Sequence, residues 1–396
     1  MSKPALWTKN FIALSLINFM TFFGFQMLTP IFPLYLADLN IEKDLAGLVM
    51  AVFSLAVVPM RLVAGRWLDM GLSRFCMIFG IVVCTVATGA FWITATAVTV
   101  AIARFVQGMG FGVSTVTFGT IVSRIIPAER RAEGVGYFSL SLSLAMCMGP
   151  WMGPALYVDY GIGGVLLFSC LCGILALPMI KMLHVEDVVV EKTPLGLGSL
   201  FEKSVRFPSF LYLLVGVSWA SIIGYVALWA QELNVHDIGS FFLVNAIFTF
   251  LVRTITGKAA DRFGFSYVII PSVLLFTIGL YLLGIASSRT NLLVCAAFIG
   301  TGMGSLMPIF QAWVINQAPS SRRSAAMAMY YNAFDVGIAL GLVCFGTLVQ
   351  KQGYQVTYHI AAGIMGLLFV LYVIYLIIYR NAPKHGQKSI DRIQKA

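Results

Sequence analysis

Long apolar runs, each about twenty residues, recur along the chain and are separated by short polar stretches. A run of that length spans the hydrocarbon of a bilayer as a helix. The pattern predicts twelve such helices, at about 11–36, 45–64, 75–95, 97–122, 135–158, 163–182, 209–230, 239–256, 268–286, 291–314, 326–349 and 356–379. The longest polar interval, 183–208, divides six helices from six. The expected organisation is an N-terminal six-helix bundle over 1–182, a linker over 183–208, a C-terminal six-helix bundle over 209–380 and a tail over 381–396. The fold class is therefore an all-α integral membrane protein with two six-helix bundles.

The polar intervals repeat themselves. Arg61, Gly65 and Asp69 are spaced by four, followed by Gly71 and Arg74. Arg253, Gly257 and Asp261, followed by Arg262 and Gly264, repeat the spacing 192 residues later. Gly108-Met109-Gly110 answers Gly302-Met303-Gly304, and Asp38-Leu39-Asn40-Ile41 answers Glu232-Leu233-Asn234-Val235. Pro127 with Arg130-Arg131 answers Pro319 with Arg322-Arg323. Internal repeats of this kind are common among transporters.

Composition fits the pattern. Hydrophobic residues make up 59 % and charged residues 11 % of 396, whereas soluble domains carry roughly 25 % charge. The net charge of +10 does not point to nucleic acid, because Lys and Arg concentrate in alternate intervals. Such an excess marks the cytoplasmic side. Both termini and the 183–208 segment are thus expected in the cytoplasm, in a cell membrane. The apolar run after Lys3 and Lys9 lacks a small-residue cleavage site and is expected to be a first membrane helix. The seven cysteines read as small buried hydrophobes. No nucleotide loop, haem motif or metal cluster is present, so no cofactor is expected. The four His residues, 184, 236, 359 and 385, are scattered, which argues against an intramembrane enzyme.

Together the loop motifs, Arg104-Phe105-Val106-Gln107-Gly108 in the fourth span and Gly149-Pro150-Trp151-Met152-Gly153 in the fifth resemble the major facilitator superfamily. More narrowly, they resemble its twelve-helix drug:proton antiporters. The loop departs from the family pattern where Met70 and Gly71 follow Asp69, and the fifth-span motif departs at Ala145 and Pro154. The resemblance implies alternating access, antiport, and a cavity lined by the first, fourth, seventh and tenth spans.

Four groups of residues carry the candidate chemistry. Asp335 is the lone carboxylate near the middle of a span, and Arg104 the one basic residue well inside a span. Intramembrane charge defaults to function, so this pair is assigned to proton coupling. Gly65, Asp69, Arg74, Gly257, Asp261 and Arg262 form the expected cytoplasmic latch, with each Asp facing a positive helix start of its own half and each Gly allowing close helix approach. Gly149, Pro150 and Gly153 form a helix-packing motif. Arg61 and Arg253 are expected to snorkel to headgroups or to pair with nearby Asp residues.

Substrate contact falls to polar and aromatic residues of the cavity spans: Asn18, Gln26, Ser221, Tyr225, Trp229, Asn245, Gln311, Trp313, Tyr331 and Asn332. Aromatic rings with scattered amides suit an amphipathic organic molecule. The same groups also suit hydrogen bonding between helices. The expected function is a monomeric, proton-coupled exporter of a small organic molecule. A proton-coupled nutrient symporter and a transporter-like sensor are the alternatives.

Overall fold

The computed structural model describes residues 5–94, 96–127, 130–184, 202–235, 237–319 and 323–380. Within these, the side chains of 131–133, 135, 136, 254, 258, 261, 323, 324, 379 and 380 are outside the description. Helices account for nearly all of the described chain. They are α1 (Lys9–Leu28), α2 (Phe32–Asp38), α3 (Lys43–Asp69), α4 (Ser73–Ala90), α5 (Ala97–Ile125) and α6 (Arg131–Met179), then α7 (Arg206–Glu232), α8 (Gly239–Phe263), α9 (Ser266–Gly284), α10 (Arg289–Gln317) and α11 (Arg323–Arg380). Among the described residues, ten helices are long and apolar enough to cross a membrane.

Two of these are too long for one crossing. Their apolar stretches cover 46 and 54 residues, and at about 1.5 Å per residue either would exceed twice the ~30 Å hydrocarbon thickness. Each is broken once. Gly161 in α6 has φ 63° and ψ −167°, and Gly353 in α11 has φ 82° and ψ 177°. Both angles lie where only glycine is comfortable. The predicted gaps at 159–162 and 350–355 contain these two residues.

The chain divides into two compact units, Met1–Thr193 and Pro194–Ala396. In the first, α1 packs on α6, α3 on α5, and α4 on both α5 and α6. In the second, α7 packs on α11, α8 on α10, and α9 on both α10 and α11. The two patterns are the same.

Helix ends repeat as well. Asn40 and Asn234 adopt left-handed φ of 56° and 57°. Beyond each, an amide reaches back to close the helix end: Ile41 to the Leu36 carbonyl at 3.0 Å, and Val235 to Ala230 at 2.8 Å. Gly71 and Gly264, at φ 78° and 88°, end α3 and α8. At the other ends, Thr96 and Ser288 cap α5 and α10 by accepting from the amides of Thr99 and Asn291.

Lipid does not drive apolar helices together, so close packing relies on small residues. A Cβ on Gly108 would lie 2.4 Å from the Phe53 carbonyl oxygen of α3, and one on Gly112 2.8 Å from that of Val57. Gly110 faces α4 instead, 2.6 Å from the Cys84 amide. In the second unit Gly300 and Gly304 meet Asn245 and Thr249 of α8, while Gly302 meets α9. Gly108 is therefore equivalent to Gly300, and the Gly-Met-Gly identity read from the sequence is displaced by two residues.

Gly149 and Gly153 of α6 lie against α1, where a Cβ would come within 2.6 Å of Gln26 and 2.1 Å of the Met27 carbonyl oxygen. Pro150 sits between them, inside the helix. By contrast, a Cβ on Gly65 or Gly257 would meet no atom within 4 Å. The expectation that these two allow close helix approach is corrected: the space around them does not require glycine.

This contrast gives a test. Gly153→Ala should lower the thermal unfolding midpoint in detergent, at a cost of roughly 1–3 kcal/mol from overpacking. Gly65→Ala and Gly257→Ala should leave the midpoint unchanged or raise it slightly, because alanine favours a helix.

Candidate functional site

In the first unit the chemistry gathers around Arg104. Helix α5 places it seven residues beyond Ala97, its first residue, with 8 % of its surface exposed. The guanidinium carbon lies 4.2 Å from the ring centre of Phe32 on α2 and 4.7 Å from that of Phe53 on α3. Both rings attract the cation through their electron-rich faces. Nη1 donates to Gln107 Oε1 at 2.7 Å. Gln107 Nε2 in turn donates to Thr88 Oγ1 at 2.9 Å, and that hydroxyl donates to the Cys84 carbonyl at 2.9 Å. This line of bonds ties α5 to α4 and holds the guanidinium inside the unit. Sequence reading passed over Phe32, Phe53, Gln107 and Thr88, because nothing in an apolar run marks which neighbours face a charge.

In the second unit the chemistry gathers on α7, α8, α10 and α11. Tyr212 is fully buried and stacks between Tyr330 and Phe334, with ring centres 4.2 and 4.8 Å away. The Tyr330 hydroxyl donates to the Met307 carbonyl at 2.8 Å. Asp335, one residue after Phe334, is half-buried. Arg253 Nη2 also lies 3.7 Å from Met307 Sδ, so the side chain points into the bundle. It reaches α10 in place of snorkelling to headgroups, and sequence reading had left it outside the candidate residues that include Asp335. The repeat was the available signal: Arg61 makes the equivalent contact, Nε to Thr115 Oγ1 at 3.4 Å. Gln311 donates to the Tyr331 hydroxyl at 3.4 Å beside this cluster, and Asn332 is half-buried next to it.

A family model described as Major Facilitator Superfamily matches residues 14–209 and again 208–393. The chain belongs to the Major Facilitator Superfamily. An uncharacterised transporter of this superfamily from Methanocaldococcus jannaschii is 25 % identical over 367 residues, covering 89 % of this chain and 95 % of its own. The multidrug resistance protein MdtG of Escherichia coli is 23 % identical over 396 residues, covering 91 % and 93 %. Among solved structures, the nucleoside transporter NupG superposes with a TM-score of 0.77 at 13 % identity, covering 93 % of this chain and 99 % of its own. A bacterial homologue of the human lysosomal transporter Spinster gives 0.68 at 18 %, covering 94 % and 96 %. These structures share the fold with this chain. The resemblance to the drug:proton antiporter branch read from the motifs agrees with the MdtG similarity.

Several substrate candidates are occupied within their own unit of this superfamily fold. Tyr225 donates to the Leu342 carbonyl at 2.6 Å, Ser221 to Ser218 at 2.7 Å, Trp229 Nε1 to Leu283 at 3.1 Å and Asn18 to Ser141 Oγ at 2.8 Å. Trp313 is buried among Phe310, Tyr372 and Tyr375. Tyr225, Trp229 and Asn18 each bond to a neighbouring helix and Ser221 to its own, as a buried polar group in lipid must find a protein partner. Asn245 donates to the Ala296 carbonyl at 3.4 Å from a half-buried position. Gln26, whose Oε1 accepts from Thr29 at 3.2 Å, stays half-buried like Gln311 and Asn332, while Tyr331 is more exposed.

Asp69 is the last residue of α3, half-buried, with Arg74 exposed just beyond. Among the described residues no hydrogen bond joins Asp69 to a helix start of its own unit. The Asp261 side chain lies outside the described residues, and Arg262 rests 5.1 Å from the Phe263 ring.

The Arg104 arrangement is testable. Gln107→Leu removes the acceptor of a charged hydrogen bond, worth about 1.5–3 kcal/mol. The unfolding midpoint of the purified protein should fall clearly below wild type.

Proposed function

We propose that this membrane transporter is a proton-coupled exporter of small organic molecules, working by alternating access in the cytoplasmic membrane. The observation that carries the reading is Asp335, the one mid-span carboxylate, next in the chain to Phe334 of the Tyr212–Tyr330–Phe334 stack, with Arg253 and Tyr330 both reaching Met307. A carboxylate is expensive to keep charged in a dry site and cheap once water enters. It therefore takes up and gives back a proton as access changes. Arg104 is the fixed charge of the other half and tunes that cycle. The similarity to MdtG supports efflux. Gly161 and Gly353 each divide a long helix into two, which brings the ten helices to twelve spans in two bundles of six. An even number of spans puts both termini on one side, and the concentration of Lys and Arg in alternate intervals supports the cytoplasm as that side.

Asp69, at the end of α3, and Asp261, two residues before the end of α8, stand at equivalent positions of the repeat and serve as the latch that biases one access state. A helix-end charge is worth about 0.3–1 kcal/mol when exposed, enough to shift two nearly balanced states several-fold. Asp69→Asn and Asp261→Asn should each lower transport severalfold with little loss of folded protein. Full transport in both variants and in the double variant would remove the latch.

The decisive experiment is transport in proteoliposomes under an imposed pH gradient. Asp335→Asn, a permanent mimic of the protonated form, should still exchange substrate but should not accumulate it. Full gradient-driven accumulation by the variant would reject Asp335 as the carrier. Movement of substrate in the same direction as protons would replace export by symport. A cysteine placed at position 388 should react only with reagent on the cytoplasmic side.

A further inference from the structure

Arg104 is a buried cation with one edge unused. Phe32 and Phe53 lie over it at 4.2 and 4.7 Å, and Nη1 is engaged by Gln107 at 2.7 Å. Nε is sealed from solvent and has no hydrogen-bond acceptor. Among the described residues no Asp or Glu pairs with this guanidinium, and only 8 % of the residue is exposed. A neutral amide and two rings offset only part of the cost of burying a full charge. Gln107 is itself anchored by Thr88 at 2.9 Å, so the guanidinium is held in place while its buried Nε hydrogen is left without an acceptor.

The Nε and Nη2 hydrogens form the flat fork that matches the two oxygens of a carboxylate. From the ring of Phe53 beside the guanidinium, an aromatic cluster continues through Phe25 and Phe111, with ring centres 4.5–5.3 Å apart. All three rings are half-buried. A guanidinium fork next to partly open phenyl faces recognises one kind of molecule, with an anionic head and an apolar or aromatic body.

We propose that Arg104 is the receptor for the carboxylate of an amphipathic organic anion. The Nε edge takes the oxygens, and Phe53, Phe25 and Phe111 take the apolar body. This deepens the exporter reading and rests on it for the ligand being cargo; the binding of the anion does not depend on transport.

The test uses the purified full-length protein in detergent. It is titrated with 2-naphthylacetate, 4-phenylbutyrate and cholate, each paired with its uncharged primary amide, and binding is read by tryptophan fluorescence and by thermal shift. At least one carboxylate should bind wild type tenfold or more tightly than its amide. Arg104→Lys keeps the charge but loses the fork, and should reduce that preference severalfold. Gln107→Glu places a carboxylate of the protein itself on Nη1, so it should abolish the preference while the unfolding midpoint stays at or above wild type. The proposal is overturned if no carboxylate binds, if the amides bind equally well, or if Gln107→Glu retains the preference. Loss of pH-driven transport with the carboxylate preference intact would count against the exporter reading alone. Transport that persists without the preference would count against this inference alone.

Discussion

A bilayer gives no solvent to the backbone and no hydrophobic reward for helix association, and the rest of the structure depends on that double constraint. A polar group inside a unit is costly unless another part of the protein meets it, and close approach comes from removing side-chain bulk. Gly108 and Gly112 against α3, with Gly110 against α4, show the second requirement on a single helix. Two glycine faces on α5 let two neighbours pack at backbone distance. The same device on Gly300, Gly304 and Gly302 organises α10. The Tyr225, Trp229 and Asn18 hydrogen bonds show the first requirement, each joining two helices through a donor that lipid would have left unmet.

Against this shared skeleton the two units differ in where charge is placed. The position equivalent to Arg104 is Ala296, and the position equivalent to Asp335 is Ser143. Duplication has thus preserved helix ends, caps and small-residue contacts while each half holds a different intramembrane charge. The first unit encloses its cation with two phenyl rings and an anchored glutamine. The second keeps its carboxylate half-open beside a tyrosine stack and a second arginine. A guanidinium and a carboxylate are chemically different tools, and each half of the chain carries one of them. The superfamily skeleton carries many cargoes, so these differences, more than the architecture, are where specificity is decided.

The spans, their division into two halves and the repeated helix ends were all legible in the amino-acid sequence. Run length is set by bilayer thickness, and turns need Gly or Asn where φ is positive. Asp38-Leu39-Asn40 and Glu232-Leu233-Asn234 were readable as a pair for that reason, as were the intervals around Gly71 and Gly264. Arg104 and Asp335 stood out because charge inside an apolar run is rare. What lay around them was not readable. Lipid and protein interior are both apolar, so a membrane helix shows little contrast between its faces, and periodicity does not reveal which side looks inward. Only the tertiary structure assigned Phe32, Phe53 and Gln107 to Arg104 and turned Arg253 toward the Asp335 cluster. It also bonded Tyr225 and Trp229 to neighbouring helices and showed that a Cβ has room at Gly65 and Gly257 but not at Gly153, which lies against a backbone. Those decisions depend on rotation of each helix about its axis, which is fixed by packing partners distant in sequence and not by any local pattern.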